Sequence, residues 1–145
     1  MIHHTPPPNF SPRFHVVSCF VEHEGKILLL LRQHGKSAGN IWGAPGGKID
    51  AGEKPKQSMH RELKEETGIM IPPQDFQHRY TVYVRYPDYD FVYHIFQARI
   101  PQKPAIAIRT EEHQEYQWLT PQDALTLSLV PDEDACIRLI YQSEH

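Results

Sequence analysis

Residues 46–69 read GGKIDAGEKPKQSMHRELKEETGI and form the most informative segment of the sequence. Two glycines open it, and no glycine or proline interrupts the residues between Pro55 and Gly68. Proline is tolerated in the first turn of a helix, and glycine is favoured just after the last turn. The stretch therefore predicts a glycine-rich loop followed by a helix that begins near Pro55 and ends at Gly68.

The predicted helix gathers acidic side chains on one face. Glu62, Glu65 and Glu66 stand three and four residues apart, and residues at those spacings are neighbours on a helix surface. Three like charges repel one another, so a folded protein that keeps them together needs a counter-charge. Arg61 and Lys64 are expected to point to other sectors of the helix. A divalent cation is then the natural counter-charge, and carboxylate oxygens suit Mg²⁺ or Mn²⁺ rather than soft metals.

The neighbouring residues fit a single site built from the loop and the helix. Met59, Leu63 and Ile69 offer apolar side chains to a core on another side of the helix. Upstream, residues 44–47 can bring the backbone close to a metal or a phosphate, which larger side chains would obstruct. We expect a metal held by carboxylates on one side and by phosphate oxygens on the other.

Strand patterns lie on both sides of this helix. Residues rich in β-branched and aromatic types predict a hairpin over residues 14–21 and 27–31, a second hairpin over residues 76–86 and 91–100, and a short strand at residues 116–119. Residues 33–47 are predicted to be loop. Thr120 is the expected cap of a short helix, and a last helix is predicted from Pro131. This order predicts an α+β or mixed α/β fold with a sheet between helices.

The chain is predicted to form a single domain over residues 13–145, after a flexible proline-rich tail over residues 1–12. The longest apolar run, residues 27–31, is far shorter than the ~20 residues of a membrane span. The first residues also lack the basic and apolar regions of a signal peptide. A cytoplasmic protein without a membrane partner is expected, and free buried thiols at Cys19 and Cys136 are favoured over a disulfide between them.

The distribution of charge is uneven. The net charge of −3 at pH 7 gives no general attraction to a polyanion, so no nucleic-acid polymer is expected as a partner. Residues 111–145 carry eight acids against one base, Arg138. The sequence leaves open whether Glu112 and Glu115 belong to a metal site or only to the surface.

The spacing of these residues resembles the Nudix box, the signature of the MutT/Nudix hydrolases. The pattern is Gly47-x5-Glu53-x7-Arg61-Glu62-Leu63-x-Glu65-Glu66-x-Gly68-Ile69, with every fixed position filled. Two other segments are also Nudix-like, Trp42-x-x-Pro45-Gly46-Gly47 and Trp118-Leu119-Thr120-Pro121. The resemblance implies a Nudix-type α/β/α sandwich with a mixed sheet. It also implies Mg²⁺- or Mn²⁺-dependent hydrolysis of a nucleoside diphosphate linked to another moiety.

The resemblance implies roles for the box residues. Glu62 and Glu66 resemble the principal metal ligands, and Glu65 resembles a further ligand or a general base. Gly46 would supply a metal-binding carbonyl. These four residues form the predicted metal site.

The predicted catalytic set adds an ion pair to the three glutamates. Arg61 and Glu53 resemble the family's structural pair, which orients the loop and the acidic helix. The place of the general base varies among family members, so Glu112 and Glu115 are alternatives to Glu65.

Candidate substrate contacts lie outside the box. Arg32 and Lys48 are predicted phosphate contacts, with plain surface bases as the alternative. His94 is a possible base contact, although strand packing is the favoured interpretation. Six aromatic residues offer nucleobase stacking or, more commonly, sheet packing: Tyr80, Tyr83, Tyr86, Tyr89, Tyr93 and Phe96.

The favoured function is a MutT-like pyrophosphohydrolase acting on a small-molecule nucleotide, most simply a (deoxy)nucleoside triphosphate. The alternatives are a Nudix hydrolase of ADP-ribose, nucleotide sugars or dinucleoside polyphosphates, a non-catalytic nucleotide-binding sensor of the same fold, and a structural domain without a ligand. The aromatic hairpin over residues 80–96 offers an edge for a homodimer.

Overall fold

The computed structural model describes residues 1–33 and 39–142. The strands within these residues are β1 (Ile2–His3), β2 (Pro12–His23), β3 (Lys26–Arg32), β4 (Trp42–Gly43), β5 (Gly46–Lys48), β6 (Gln77–Arg85), β7 (Asp90–Arg99) and β8 (His113–Leu119). The helices are α1 (Pro55–Thr67), α2 (Pro121–Ala124) and α3 (Glu133–Tyr141), and a 3₁₀ turn covers Pro73–Asp75.

The strands form one mixed sheet with helices on both faces. Its order is β1-β6-β7-β2-β3-β4, with β5 paired to β2 and β8 paired to β3. Strands β2 and β7 run parallel, and the other pairs are antiparallel. Met59 and Leu63 of α1 belong to the core on one face. Cys136, Ile137 and Ile140 of α3 belong to the core on the other. The predicted sheet between helices is confirmed.

Helix α1 has the predicted ends. At its start, the backbone N–H of Lys54 donates to Gln57 Oε1 at 3.0 Å. At its end, Gly68 adopts a left-handed conformation with φ of 78°, which glycine tolerates without a Cβ clash. The N–H of Gly68 donates to Lys64 O at 2.9 Å. Met59, Leu63 and Ile69 are all buried, as expected for the core face.

The first hairpin is open at the end away from its turn. Strands β2 and β3 pair only next to the turn, at Glu22–Ile27 and His23–Lys26. Beyond that point β2 pairs with β5 and β7, whereas β3 pairs with β4 and β8. Strands β4 and β5 thus enter the opening between β2 and β3, and the segment expected to be a loop over residues 33–47 contains two short strands. Residues 34–38 of that predicted loop lie outside the described residues.

Other boundaries differ slightly from the predicted ones. Strand β8 begins at His113 because Arg32 pairs with it, and helix α3 begins at Glu133, two residues after Pro131. Helix α2 has its predicted cap, since Thr120 Oγ1 accepts from the N–H of Asp123 at 3.1 Å.

The proline-rich N-terminal segment contacts the sheet. Ile2 and His3 pair with Val84 and Tyr83 of β6, and strand β2 already begins at Pro12. The terminal ammonium of Met1 donates to a backbone carbonyl of β6 at 2.9 Å. The expectation of a tail over residues 1–12 is corrected here, because the open edge of β6 offers N–H and C=O groups that the first residues satisfy. Part of the aromatic hairpin's edge is therefore already covered.

The two cysteines are free and buried, as predicted for Cys19 and Cys136. Among the described helices, none has the length and apolar character that crossing a membrane requires.

A histidine pair links β2 and β7 on the surface of the sheet. His15 Nδ1 lies 3.1 Å from His94 Nε2, and the two rings stack with centroids 5.3 Å apart. The pKa of His94 is lowered to about 4, first by burial and then by the neighbouring His15 and His78. His94 therefore packs between neighbouring strands, which is the interpretation that the sequence favoured.

We predict that His94 makes the protein less stable in mild acid. Below about pH 6.5 the unfolded chain takes up a proton at this histidine that the folded chain does not, so the free energy of unfolding falls towards pH 4. The His94→Gln variant should lose about 1–2 kcal/mol less than the wild type between pH 7 and pH 5. Urea unfolding at both pH values measures the difference. The exposed His4 gives a control, because His4→Gln should follow the wild type, and equal pH slopes for all three proteins would contradict the prediction.

Candidate active site

Strand β5 brings the two glycines of the box against β2 and α1. Gly46 pairs with Ser18 and Gly47 pairs with Val17. A Cβ on Gly46 would overlap the backbone carbonyl of Val17. A Cβ on Gly47 would lie 2.5 Å from Glu62 Cδ. The glycines are therefore required for close packing of a strand and a carboxylate, in addition to the open backbone that the sequence predicted.

These contacts predict different outcomes for two adjacent alanine substitutions. Gly46→Ala should destabilise the fold by roughly 2–4 kcal/mol, because the backbone of β2 must move away. Gly47→Ala should lower the free energy of unfolding by less than about 1.5 kcal/mol, since the Glu62 side chain can turn aside. It should nevertheless reduce activity at least as much as Gly46→Ala does. Urea unfolding together with steady-state kinetics separates the two effects. Equal destabilisation by both substitutions would contradict this assignment.

Glu66 is the most buried carboxylate of the acidic helix. The residue is 7% exposed, and its Oε1 accepts from the backbone N–H of Gly46 at 2.8 Å. Burial, followed by repulsion from Glu62 and Glu112, raises the pKa of Glu66 to about 8, although the Gly46 hydrogen bond opposes the shift. A bound cation would offset the cost of keeping this buried carboxylate ionised.

Arg61 contacts several carboxylates at the edge of the site. Its Nε and Nη2 donate to the two oxygens of Glu53 at 2.8 and 2.9 Å, and its Nη1 donates to Glu62 Oε1 at 3.0 Å. The same Nη1 lies 3.3 Å from Glu65 Oε2. The expectation that Arg61 points to another sector of the helix is wrong, because its long side chain folds back over its neighbours. Arg61 therefore supplies counter-charge for Glu62 and Glu65.

Glu62 lies between Arg61 and the interior of the site. Burial raises its pKa, and nearby Glu65 and Glu112 raise it further, whereas Arg61 lowers it. The pKa of Glu53 moves the other way, to about 2, chiefly because Arg61 donates hydrogen bonds to its carboxylate. The predicted Arg61–Glu53 pair is thus formed, and it holds the loop against α1.

The turn before β8 brings a further acid and a histidine to α1. Ligand atoms of Glu66, Glu112 and His113 all lie within 4.8 Å of one another. His113 Nε2 is 4.0 Å from Glu66 Oε2. Glu115 is exposed on β8, opposite Leu31. Of the two acids that the sequence left open, Glu112 therefore lies beside Glu66 and His113, and Glu115 lies on the surface.

An open cleft of about 480 Å³ collects these groups. Its lining residues are Arg32, Gly46, Gly47, Lys48, Asp50, Glu62, Glu66, Glu112 and His113. Both predicted phosphate contacts are among them, whereas Glu65 is not. Arg32 Nε is buried without a hydrogen-bond partner among the described residues. The ammonium of Lys48 lies 4.3 Å from the centre of the Phe14 ring.

The donor set of the cleft fits a hard divalent cation. Glu62, Glu66 and Glu112 line one cleft, and carboxylate oxygens are the ligands that Mg²⁺ and Mn²⁺ prefer. The raised pKa values of Glu62 and Glu66 report carboxylates that are buried and repel one another. Bound cations would neutralise this repulsion and, on the opposite side, bind phosphate oxygens.

A second cavity of about 240 Å³ adjoins the cleft. The two share Arg32, Gly46, Gly47, Glu66 and His113. The second cavity extends between the sheet and α3, where Ser18, Tyr93 and Glu133 contribute polar side chains. Of the six aromatic residues proposed for stacking, Tyr93 lines it. Phe96 is instead a core residue on the α1 face.

Sequence reasoning missed His113 and Glu133. His113 follows Glu112 directly, so its place next to a candidate acid was a usable signal once Glu112 was considered. Glu133 gave no signal, because it sits in an acidic run, Asp132-Glu133-Asp134, that resembles the exposed start of a helix. Its burial depends on contacts with the β4 segment, 89 residues away in the chain.

Comparison with known proteins identifies relatives across most of the chain. A family model described as NUDIX domain matches residues 12–140. The CTP pyrophosphohydrolase of Escherichia coli (strain K12) is 30% identical over 118 residues, which cover 80% of this chain and 82% of that protein. The 8-oxo-dGTP diphosphatase of Haemophilus influenzae is 41% identical over 56 residues, or 39% of this chain and 41% of that protein.

A solved structure with a similar fold is the NUDIX domain of Shewanella oneidensis NrtR complexed with ADP ribose. It superposes with a TM-score of 0.77, covering 97% of this chain and 94% of that chain at 23% identity. At this identity the similarity establishes the fold alone.

Proposed function

Because the chain belongs to the Nudix family of pyrophosphohydrolases, we propose that it hydrolyses a (deoxy)nucleoside triphosphate with Mg²⁺ or Mn²⁺. The observation that carries the proposal is the convergence of Glu62, Glu66 and Glu112 on one cleft that Arg32 and Lys48 also line. Carboxylates and bases in one cleft suit a polyphosphate held through divalent cations.

The residues of the cleft have separate tasks. Glu62 and Glu66 would hold the cations, which supply Lewis-acid stabilisation of phosphate charge and an acidified water when bound, and Glu112 would stand beside them as the proton acceptor. Arg61 and Glu53 keep Glu62 in place. Arg32 and Lys48 would contact phosphate oxygens. The positions of the side chains around the cleft support this division of tasks.

Glu112 is our choice for the general base. Glu112 lines the cleft. Glu65 does not line it and instead accepts a hydrogen bond from Arg61, and Glu115 is exposed on β8. Water attacks one phosphorus of the triphosphate, its proton passes to the base, and the anhydride P–O bond breaks to give a nucleoside monophosphate and pyrophosphate.

A substrate panel tests the proposal. The full chain is assayed with Mg²⁺ or Mn²⁺ against nucleoside and deoxynucleoside triphosphates, oxidised deoxynucleotides, ADP-ribose, nucleotide sugars and dinucleoside polyphosphates. We expect triphosphates to have the highest kcat/KM, with monophosphate and pyrophosphate as products. A tenfold or greater preference for ADP-ribose, nucleotide sugars or dinucleoside polyphosphates would overturn the substrate class. Tight nucleotide binding without turnover would favour the sensor alternative.

A further inference from the structure

We propose that Gln33 is a positioning residue for the reaction, because its amide group holds the turn that brings Glu112 to the carboxylate cleft. The inference rests on the proposed function, in which Glu112 accepts the proton of the attacking water. Gln33 follows β3 directly and is not among the residues that line the cleft. Its effect on the reaction would therefore pass through Glu112.

The turn before β8 lies on the surface of the protein. Arg109, Thr110 and Glu111 are exposed, so burial of apolar side chains does not fix this turn. Within it, the N–H groups of Glu112 and His113 both donate to Arg109 O, at 3.0 and 2.9 Å. These two bonds close the turn on itself, but they do not attach it to the sheet.

The pairing of β8 with β3 is irregular where the turn ends. Leu31 lies opposite Glu115, whereas Arg32 lies opposite His113. Gln114 is thus an extra residue on β8, as in a β-bulge. A bulge bends the strand that carries it and re-aims nearby side chains. Regular strand pairing alone therefore does not set the direction of the turn.

Gln33 attaches the turn to the end of β3 with three hydrogen bonds. Its backbone N–H donates to Glu112 O at 2.9 Å. Its side-chain Nε2 donates to Thr110 O at 2.6 Å and to His113 O at 3.3 Å. A primary amide has two N–H donors, so one side chain can bind both carbonyls. The bonds of Gln33 thus reach the carbonyl of Glu112 and carbonyls on either side of it.

This attachment bears on the chemistry because Glu112 must be placed accurately. Its carboxylate shares a small space with Glu66 and His113, where ligand atoms of all three residues lie within 4.8 Å of one another. A general base must be within hydrogen-bond reach of the proton that it removes. A displacement of about 1 Å can reduce a rate by about 10²-fold. Loss of the Gln33 amide should therefore slow the chemical step more than it weakens triphosphate binding.

The kinetics of two Gln33 variants test the inference. Gln33→Glu keeps the size of the side chain but offers the two carbonyls no donor when ionised, and Gln33→Ala removes the amide without adding charge. The assay uses Mg²⁺ and the nucleoside triphosphate that the full chain hydrolyses fastest. We expect both variants to lower kcat by about 10–100-fold, with KM within about threefold of the wild type. A wild-type kcat in both variants, or a loss confined to KM, would overturn the inference.

A double-mutant cycle measures whether the loss passes through Glu112. In a Glu112→Gln background the base is absent, so adding Gln33→Ala should lower kcat by less than about twofold further. A fall of the same size in both backgrounds would mean that Gln33 acts elsewhere, and the inference would be wrong. A Glu112→Gln variant with the wild-type kcat would overturn both the inference and the base assigned above.

Hydrogen exchange tests the turn without any substrate. The N–H of His113 donates to Arg109 O, so its exchange rate reports how often the turn opens. In Gln33→Ala this N–H should exchange at least about fivefold faster, whereas the N–H of Leu63 in α1 should keep its wild-type rate. An unchanged His113 rate in Gln33→Ala would contradict the inference.

Gln117 gives a matched control. It is an exposed glutamine of β8, so Gln117→Ala should leave both kcat and the exchange of His113 at their wild-type values. If the wild type hydrolyses no nucleoside triphosphate, the proposed function fails. The exchange rate of His113 then decides by itself whether Gln33 holds the turn.

Discussion

Glu66→Gln is expected to lower kcat for nucleoside triphosphate hydrolysis by about 10²–10⁴-fold. The amide can still accept from the Gly46 N–H, as Oε1 of Glu66 does at 2.8 Å, so the local fold should persist. What it loses is a charged oxygen directed at the cleft. Steady-state kinetics across a Mg²⁺ or Mn²⁺ titration measures the effect, and excess metal should not restore the wild-type rate.

The same substitution should stabilise the protein when no divalent cation is present. In the wild type, burial and repulsion from Glu62 and Glu112 disfavour the ionised Glu66 carboxylate. A neutral amide removes this penalty, so the free energy of unfolding in EDTA at pH 8 should rise by roughly 1–3 kcal/mol. Urea unfolding measures it.

Glu115 supplies the control for this substitution. It is a glutamate on β8, exposed and outside the cleft. Glu115→Gln should change kcat less than about threefold and the free energy of unfolding by less than about 0.5 kcal/mol. A Glu66→Gln variant with near-wild-type kcat, or one that is less stable in EDTA, would contradict the assigned role of Glu66.

Arg61→Gln is expected to have the second largest effect, on stability and activity together. The substitution leaves Glu53, Glu62 and Glu65 without the guanidinium that contacts all three. Removing one partner of a buried ion pair costs several kcal/mol, and partial exposure reduces this to about 2–4 kcal/mol. Because Glu62 loses its support, kcat/KM should also fall by roughly 10–100-fold.

Two comparisons isolate this effect. Arg138 forms an exposed pair with Asp134, and the two residues are four apart, as Arg61 and Glu65 are. Arg138→Gln should lower the free energy of unfolding by less than about 0.5 kcal/mol. A double-mutant cycle with Glu53→Gln should give a coupling energy of about 1–3 kcal/mol, because Arg61 and Glu53 contact each other directly. Additive effects of the two substitutions would show that the pair does not act as a unit.

The stability from this pair should depend on pH in a defined direction. The pKa of Glu53 is lowered to about 2, chiefly by hydrogen bonds from Arg61. The contribution of the pair is therefore complete above about pH 4.5 and lost as the pH falls towards 2. The wild type should lose more stability than Arg61→Gln over this interval, and parallel curves would contradict this role.

Much of the site could be predicted because it is local. Glu62, Glu65 and Glu66 belong to one helix, whose ends are marked by Pro55 and Gly68, and α1 has those bounds. Helical geometry alone fixes which of these side chains are neighbours. The path of Arg61 was not predictable in this way, because a long flexible side chain can fold back over adjacent residues.

Other features depend on contacts between distant parts of the chain. The entry of β4 and β5 between β2 and β3 follows from competition among several strands for the same backbone groups, which no single segment encodes. The roles of Gly46 and Gly47 as packing positions, against Val17 and Glu62, became clear only from that arrangement.

Local sequence alone was enough for the family signature, the acidic helix and the longer strands and helices, because spacing and turn residues act over a few residues. The tertiary structure decided which distant groups join the site. It placed Glu112 and His113 beside Glu66, left Glu115 at the surface, and buried Glu133 against Ala44. These choices depend on strand register, where one residue's shift turns a side chain to the other face of the sheet.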